Sequence, residues 1–543
     1  ASSRAPPAWA PAAEYRRLHG GADVGGQRTR LWGELRRSVD AFRQRTKRED
    51  TEALISDLLG AKRRNDTVLV LDGKIYATKA WLGLPPERKF LGAEKNQGHC
   101  AMIASAIKHG TKLPNVATAH TALATGGDDG RCLNERRLPP LYGRSEPADD
   151  TYEYPTTVIA KRDGYGQCGV LVPNPYWGAR GYGTSGDLGM WHKDIANLRK
   201  TAKSRPPQKR DGRVFWRGKC STNEWNIKSG PIPADWNDRA ALECWRGKCR
   251  TNARRLVDEA AAPPRRRLTK SAETVAKEKA MFAARKIAYR TMKAEHKCKK
   301  DFGNRARLRA AALTVARPDL FAVTCSQLTP PKNFSCVPDE AAALYAARTA
   351  TLKASTRVVD ASWLEPEDFS KHKYVLNLPG QTTGSYSRNL NHLWSTGAAV
   401  VLWDGPWVEW YYPALATGKT HLAVNRSTAE AAVDRVEADG TEFQRLVKEA
   451  KRVDQEHVCA SCIANYWRRA LEAIRARAGY ADVLDDPRTL LKLFERADKC
   501  AEVVLAQATY LAGESDGGVK GSFTNVEAGP NVCEELRRMI KGS

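Results

Sequence analysis

Two short apolar runs on either side of a helical segment constrain the fold of this chain more than any other feature. They are KYVLNLPG at residues 373–380 and GAAVVLWDG at 397–405, and the intervening SRNLNHLWST has the periodicity of a helix. A strand, a helix and a second strand in this order build parallel sheets, because parallel neighbours need a long crossover connection. The segment therefore predicts a doubly wound α/β fold whose ligand lies at the ends of the parallel strands.

A second α/β region precedes it. DTVLVLDGKIYATK at 66–79 predicts a hairpin with Asp72–Gly73 as its turn, and residues 96–130 predict a helix, a strand and a Gly-rich loop that ends in carboxylates. The basic linker RPPQKRDG separates the two regions, and the pattern from 428 onward is mostly helical. We predict four parts: a flexible stem at 1–30, an N-terminal Rossmann-like domain at 31–204, a second Rossmann-like domain at 205–430 and a helical segment at 431–543 that packs back on the body.

The charge of the chain is strongly basic. Lys and Arg number 88 against 62 Asp and Glu, which gives a net charge of +26 and favours acidic ligands through long-range attraction. The alternative is an ordinary solvated basic surface. Nucleic acid is not an expected partner, because the chain has neither the Cys/His spacing of zinc fingers nor an aromatic-rich ribonucleoprotein signature.

Thirteen cysteines are scattered along the chain, as in disulfide-bearing secretory proteins. Cys459 and Cys462 form a CxxC, but no second CxxC or His pair lies nearby to complete a tetrahedral zinc shell. We therefore expect either a local disulfide or two separate bridges here, and no metal site.

Three glycosylation sequons, at Asn65, Asn333 and Asn425, fit a lumenal address in the endoplasmic reticulum or Golgi. No apolar run approaches the ~20 residues that span a bilayer. Because the chain starts at Ala1 without Met, we expect that a signal peptide or a membrane anchor was removed from the N-terminus.

The segment KYVLNLPGQTTGSYSRNLNHLWSTGAAVVLWDGPWVEWYYP at 373–413 carries a family resemblance. A strand ends in N-x-x-G at Asn377, a Ser-rich turn opens an Arg-bearing helix, a second strand follows, and the block closes with the W-x-E and Y-Y-P pattern of 407–413. This block resembles glycosyltransferase family 90, which includes protein O-glucosyltransferases and capsule-associated xylosyltransferases. Three further segments, at 112–130, 186–195 and in the WRG region, resemble the family in the same order and extend the resemblance over about 66–475.

The resemblance implies a GT-B-type α/β fold, in which two Rossmann-like domains face a cleft and a helical C-terminal extension follows. It implies an inverting transfer of a sugar, xylose or glucose, from a UDP-sugar donor to a hydroxyl of a protein or glycan acceptor. It also implies no essential metal or other cofactor, and the chain has no Asp-x-Asp carboxylate pair. Two alternatives remain: a related binding or scaffold protein without catalysis, and a lumenal polyanion-binding protein.

The resemblance also implies where the catalytic base lies. The family places this Asp just after a strand of the first domain, and in LATGGDDG the matching residue is Asp128. Ala124 replaces the family's Asn and Gly130 its Pro, so Asp129 is a second candidate, and an acidic turn without catalysis is the structural alternative.

For the departing diphosphate the resemblance implies the turn GSYSR, in which Gly384, Ser385, Ser387 and Arg388 open a helix. If the helix is aligned on the following Gly397, the family's Arg falls on Asn389, one position past Arg388. The alternative for this turn is an ordinary Ser helix cap with a solvated Arg. Glu409 is predicted either to bind the ribose of the donor or to make a structural hydrogen bond.

The pentapeptide WRGKC occurs twice, in FWRGKCSTN at 215–223 and in CWRGKCRTN at 244–252. In the family a strand ends in aromatic-[RK]-G, and an Arg follows seven or eight residues later at the start of a helix. The first copy supplies the strand, and the second copy supplies the arginines. Either the second copy is the motif and 213–243 is inserted before it, or the strand of the first copy leads into a long loop that returns with the arginines of the second copy. We predict the latter, with Gly218, Lys219 and Arg254 at the donor, and with a disulfide from Cys220 to Cys244 or Cys249.

Overall fold

The computed structural model describes residues 27–60, 67–84, 93–124, 154–162, 169–178, 186–220, 302–327, 358, 364–379, 388–404, 407–514 and 520–542. These residues form two sheets and the helices that cover them. The strands, in chain order, are β1 (Thr67–Leu71), β2 (Lys74–Thr78), β3 (Val116–Ala124), β4 (Thr156–Arg162), β5 (Val170–Leu171), β6 (Asp211–Lys219), β7 (Phe321–Gln327), β8 (His372–Asn377), β9 (Ala399–Trp403), β10 (Trp407–Glu409), β11 (Leu422–Val424), β12 (Val503–Glu514) and β13 (Lys520–Asn531).

The helices flank these strands and make up most of the region between β11 and β12. They are α1 (Gln27–Asp40), α2 (Arg48–Gly60), α3 (Lys79–Leu82), α4 (Ala93–Lys108), α5 (Leu188–Ser204), α6 (Phe302–Ala316), α7 (Arg388–Leu393), α8 (Ala429–Ala438), α9 (Gly440–Glu456), α10 (Ala460–Ala478), α11 (Ala481–Leu484), α12 (Pro487–Arg496) and α13 (Val532–Gly542).

One sheet has five strands, all parallel, in the order β11-β9-β8-β6-β7. Its inner strands are buried on both faces: Val214 and Trp216 of β6 pack in one apolar cluster, and Phe215 between them packs in the other. Burial on both sides is the usual state of parallel sheets and explains why these strands are apolar runs without alternation. The predicted α/β fold with a parallel sheet is confirmed.

The other sheet is mixed and has the order β10-β4-β3-β1-β2-β12-β13, with β5 beside β4. The predicted hairpin is present: Leu71 pairs with Lys74 across a two-residue turn whose Asp72 and Gly73 have φ of 46° and 68°. Positive φ at both central positions is the signature of the type I′ turn, which matches the twist of the strands it joins.

The C-terminal segment contributes strands as well as helices. Residues 429–496 are mainly helical, as predicted, but β12 and β13 then form an antiparallel hairpin that extends the mixed sheet. Leu505 of β12 pairs with Tyr76 of β2, more than four hundred residues earlier in the chain. The sequence prediction did not include this hairpin, because β13 is rich in Gly, Asn and Pro and its pairing depends on distant partners.

Strand β10 joins the two halves of the molecule. It follows β9 of the parallel sheet in the chain, yet it pairs with β4 of the mixed sheet, with Val408 opposite Lys161. A single apolar cluster contains Leu69 of β1 together with Val375 of β8 and Val400 of β9. The two sheets therefore share a core.

Gly178 provides a test of the packing that leads into α5. Its φ is +76°, and a Cβ there would lie 2.2 Å from the backbone oxygen of Asp187, which caps α5. Gly73 has a similar φ of +68° but nothing within 4 Å. We expect Gly73→Ala to lower the free energy of unfolding by about 1–2 kcal/mol through its backbone conformation alone. Gly178→Ala should lower the free energy of unfolding by a further ~1–3 kcal/mol, because its Cβ would collide with the backbone of Asp187. Urea denaturation measures both variants, and an equal loss of stability in the two would contradict this packing.

Candidate functional site

The parallel sheet has a topological switch point between β6 and β8. From β6 the chain passes to β7 on one side, and it then returns to β8, β9 and β11 on the other side. Connections that leave neighbouring strands in opposite directions open a crevice at their carboxyl ends, where doubly wound proteins bind ligands. The residues at these ends are Lys219 of β6 and Asn377 of β8.

Arg307 connects the two strand ends at the switch point. It lies on α6, which follows β6 among the described elements and leads into β7. Its Nη1 donates a hydrogen bond of 2.6 Å to the backbone oxygen of Lys219, and its Nε donates one of 3.0 Å to that of Pro379. The guanidinium is thereby fixed in position across the crevice.

The environment of Arg307 favours an anionic ligand. Its side chain is only 8% exposed, and burial lowers its pKa to about 10, so it remains charged at neutral pH. Within the part of the chain that the structure describes, its hydrogen bonds go to backbone oxygens and to no carboxylate. A buried cation without a carboxylate partner is costly to maintain, which makes it a strong attractor for a bound anion.

Gly218 and Lys219 end β6 at this crevice, as the first WRGKC copy predicts. A Cβ at Gly218 would lie 2.6 Å from the ring of Trp216, so the glycine makes room for that ring. The guanidinium carbon of Arg307 lies 5.5 Å from the centre of the same ring, at cation–π distance. The structure thus shows a packing reason for Gly218, while contact of Gly218 and Lys219 with the donor stays a prediction.

The predicted disulfide from Cys220 to Cys244 or Cys249 is wrong. Cys220 is bonded to Cys325 of β7, and both are fully buried. Gly218 lies opposite Cys325 in the parallel ladder, so the bond joins two neighbouring strands just beyond the end of β6. The physical reason is that strand pairing brings Cys325 to Cys220 from 105 residues away, whereas the sequence shows only nearness along the chain.

Several predicted site residues lie outside the described residues. These are Asp128, Asp129, Arg254, Gly384, Ser385 and Ser387. Arg388 is the first residue of α7, which connects β8 to β9 in the parallel sheet, and the structure describes its backbone but not its side chain. The loop before α7 therefore starts at the carboxyl end of β8, beside the backbone oxygen that binds Arg307.

Glu409 lies in a buried polar cluster on β10. Its side chain is 1% exposed, and its Oε2 accepts a hydrogen bond of 3.1 Å from Asn174. Asn174 in turn accepts one of 3.4 Å at its Oδ1 from Nδ2 of Asn391 on α7. Among the described residues, neither Oε1 of Glu409 nor Oδ1 of Asn391 has a hydrogen-bond partner. The bond to Asn174 agrees with the structural alternative for Glu409, and ribose contact stays a prediction.

Burial raises the pKa of Glu409 to about 8, against the opposing effect of its bond from Asn174. The folded carboxyl thus keeps its proton between the unfolded value of about 4.3 and pH 8. The contribution of the protonated Glu409 to stability is complete below the pKa of the unfolded chain and is lost as the pH rises through the folded pKa of about 8. We expect Glu409→Gln to gain stability relative to the wild type as the pH rises from 5 to 9, by up to about 1.4 kcal/mol per pH unit.

Chemical denaturation at pH 5, 7 and 9 measures this difference, with the exposed Glu495→Gln as the matched control. A difference between Glu409→Gln and the wild type that stays constant over this range would show that Glu409 is ionised in the folded protein.

Neither a known family model nor a curated protein sequence matches this chain.

The cysteines indicate the environment of the protein. The described residues include three disulfides, Cys220–Cys325, Cys459–Cys462 and Cys500–Cys533, which indicate an oxidising location outside the cytosol. The local disulfide expected for the CxxC is confirmed.

None of the described helices has the length and hydropathy that crossing a bilayer requires. In the same part of the chain, no three His, Cys, Asp or Glu side chains are grouped to hold a metal ion.

Sequence reasoning missed Arg307. The family pattern asks for an Arg seven or eight residues after the Gly, at the start of the helix that follows the aromatic-[RK]-G strand. Arg254, seven residues after Gly247, fits that spacing. Among the described elements, the helix between β6 and β7 is α6, and Arg307 lies in its second turn. The signal available in the sequence was the order helix, Pro and apolar strand at 302–327, which marks the true return to the sheet.

Proposed function

We propose that this chain is an inverting glycosyltransferase of the secretory pathway, acting in the endoplasmic reticulum or Golgi. It would transfer a sugar, xylose or glucose, from a UDP donor to a hydroxyl of a protein or glycan acceptor. The observation that carries the proposal is the buried Arg307 at the switch point, which bridges the carboxyl ends of β6 and β8. The resemblance of 373–413 to glycosyltransferase family 90 supports the choice of a UDP-sugar over other anionic ligands.

The diphosphate of the donor fits the chemistry of this crevice. Nε and Nη1 of Arg307 are engaged by backbone oxygens, and Nη2 makes no hydrogen bond within the described residues, so it is the nitrogen that remains for a phosphate oxygen. Lys219 at the end of β6 adds positive charge beside the switch point, and the family resemblance implies that Arg388, the first residue of α7, also binds the diphosphate. Fixed cations stabilise a departing diphosphate without a metal, because they neutralise the charge that develops on it.

The transfer itself needs one base. In this proposal a carboxylate, Asp128 or Asp129, takes the proton of the acceptor hydroxyl, and the oxygen attacks the anomeric carbon opposite the diphosphate. The bond to UDP breaks on the other face, so the configuration inverts. UDP leaves as an anion held by Arg307, and no acid is required to protonate it.

The register of the mixed sheet supports this position for the base. Ala124, the last residue of β3, lies opposite Lys161 of β4, which in turn lies opposite Val408 of β10. Strands are spaced ~4.8 Å apart, so β3 ends about 10 Å from β10. Since β10 follows the carboxyl end of β9, the segment that carries Asp128 leaves the mixed sheet near the ligand-binding edge of the parallel sheet.

The direct test is to incubate the purified protein with UDP-glucose, UDP-xylose, UDP-galactose or UDP-arabinose and to measure the UDP released, with GDP-mannose as control. We expect release from UDP-xylose or UDP-glucose, also in EDTA. UDP binding without release from any donor would favour a scaffold without catalysis. Heparin binding without UDP affinity would instead favour a polyanion-binding protein.

A further inference from the structure

The disulfide between Cys459 and Cys462 differs in position from the other two described disulfides. Cys220–Cys325 and Cys500–Cys533 join residues 105 and 33 positions apart, whereas Cys459–Cys462 joins residues only three apart. A disulfide stabilises a fold mainly by restricting the unfolded chain, and this effect grows with the length of the loop that it closes. The short loop therefore contributes less to stability than the other two, which makes a second role for it worth seeking.

The pair is placed for thiol chemistry at the start of a long helix. Cys459 is the N-cap of α10, a helix of 19 residues, and its Sγ accepts the backbone N–H of Cys462 at 3.1 Å. The free N–H groups and the positive end of the dipole at a helix N-terminus stabilise a thiolate there. Cys459 is thus the better leaving group and the better nucleophile of the two.

Both sulfurs can be reached from solvent. The two cysteines are half-buried, Ser461 between them is exposed, and the contact of Cys462 Sγ with the backbone oxygen of Gln455 lies at the surface. In contrast, Cys220 and Cys325 are fully buried, and so is Cys533. The turn is also held rigidly, because Trp191 of α5 donates a hydrogen bond of 2.7 Å to the backbone oxygen of Val458.

We propose that Cys459 and Cys462 form a redox-active disulfide that exchanges with a dithiol of a polypeptide substrate. A substrate thiolate attacks Sγ of Cys462, the S–S bond breaks, and Cys459 leaves as a thiolate. The second substrate thiolate then attacks the substrate sulfur of the mixed disulfide and expels Cys462, which takes up a proton. Two electrons pass from the dithiol to the pair, so that one substrate disulfide forms and two protein thiols are released. This reaction is separate from sugar transfer and does not depend on it.

The test is to mix the oxidised full chain with a reduced dithiol peptide, and in a parallel arm with a monothiol tripeptide, under native conditions. Thiols are then trapped with an alkylating agent and located by peptide mass spectrometry. We expect one peptide disulfide per chain and labels on Cys459 and Cys462 while Cys500 and Cys533 stay unlabelled. The dithiol peptide should react further than the monothiol, which stops at the mixed disulfide. Equal labelling of both pairs, or no label at Cys459 and Cys462, would overturn the proposal.

Two single variants check the roles of the sulfurs, after thermal unfolding has shown that they fold. Cys462→Ser keeps the N-cap thiol, and Cys459→Ser keeps the other. We expect Cys459 to be alkylated at least about tenfold faster than Cys462, as its position at the helix N-terminus requires. We also expect Cys459→Ser, mixed with the oxidised disulfide form of the monothiol tripeptide, to accumulate a mixed disulfide at Cys462 and to release one tripeptide thiol, because no neighbouring protein thiolate reverses this exchange. Equal alkylation rates would contradict the assignment.

Discussion

We expect Arg307→Met to weaken the binding of UDP by about 10- to 100-fold, as measured by isothermal titration calorimetry. In the proposed complex, the substitution removes a charge-assisted hydrogen bond to the diphosphate, whose loss costs about 1.5–3 kcal/mol. It also frees the backbone oxygens of Lys219 and Pro379 at the two strand ends that the guanidinium joins. We expect the UDP affinity of Arg307→Lys to lie between those of the wild type and Arg307→Met. An ammonium keeps the charge but lacks the planar guanidinium that reaches the backbone oxygens of both strand ends.

The matched control is Arg317→Met. Arg317 directly follows α6 at its other end, where it pairs with the exposed Asp319 on the surface. This variant should bind UDP like the wild type, so a loss that is specific to Arg307 cannot be a general effect of reduced positive charge. Thermal unfolding of each variant separates loss of the site from loss of the fold. UDP affinities within about twofold for well-folded Arg307→Met and wild-type protein would contradict the assigned site.

The second large effect is expected at the catalytic base. If Asp128 is the base, Asp128→Asn lowers the turnover number by about 10²- to 10⁴-fold, the usual contribution of general-base catalysis. The affinity for UDP stays unchanged, because the base contacts the acceptor hydroxyl and not the nucleotide. Steady-state kinetics with the active donor, together with calorimetry of UDP, measure both quantities.

Asp129→Asn is the matched control for this experiment, since it differs by a single position in the same GGDDG segment. The two variants decide between the two candidates, as only one carboxylate is needed for an inverting transfer. Full turnover in both variants would rule out this segment as the source of the base. A parallel loss of UDP affinity would instead show that it helps to bind the donor.

Local patterns in the sequence predicted those elements that local physics determines. The strands at 372–377 and 399–403 were recognisable as apolar runs, and the turn at Asp72–Gly73 was recognisable because those residue types adopt positive φ. Their pairing partners were only partly visible. The hairpin β12–β13 was not predicted, since its position beside β2 depends on contacts between distant parts of the chain.

The candidate site shows the same division between local and distant contacts. The WRGKC copy predicts Gly218 and Lys219 at a strand end, but it does not reveal the partner of Cys220, because that bond depends on the pairing of β6 with β7. Arg307 has no local motif of its own, and its importance appears only when β6 and β8 become neighbours and present two backbone oxygens to it. Likewise, the raised pKa of Glu409 follows from burial that no residue of WVEWYYP reveals on its own.

The central claim is that the switch point of the parallel sheet binds the diphosphate of a UDP-sugar through fixed cations. The most direct measurement is calorimetric titration of the wild-type protein with UDP, UMP and uridine in the presence of EDTA. The account predicts that UDP binds at least about tenfold more tightly than UMP, that uridine binds weakest, and that EDTA changes none of these affinities. Equal affinities for UDP and uridine, or no UDP binding at all, would contradict it.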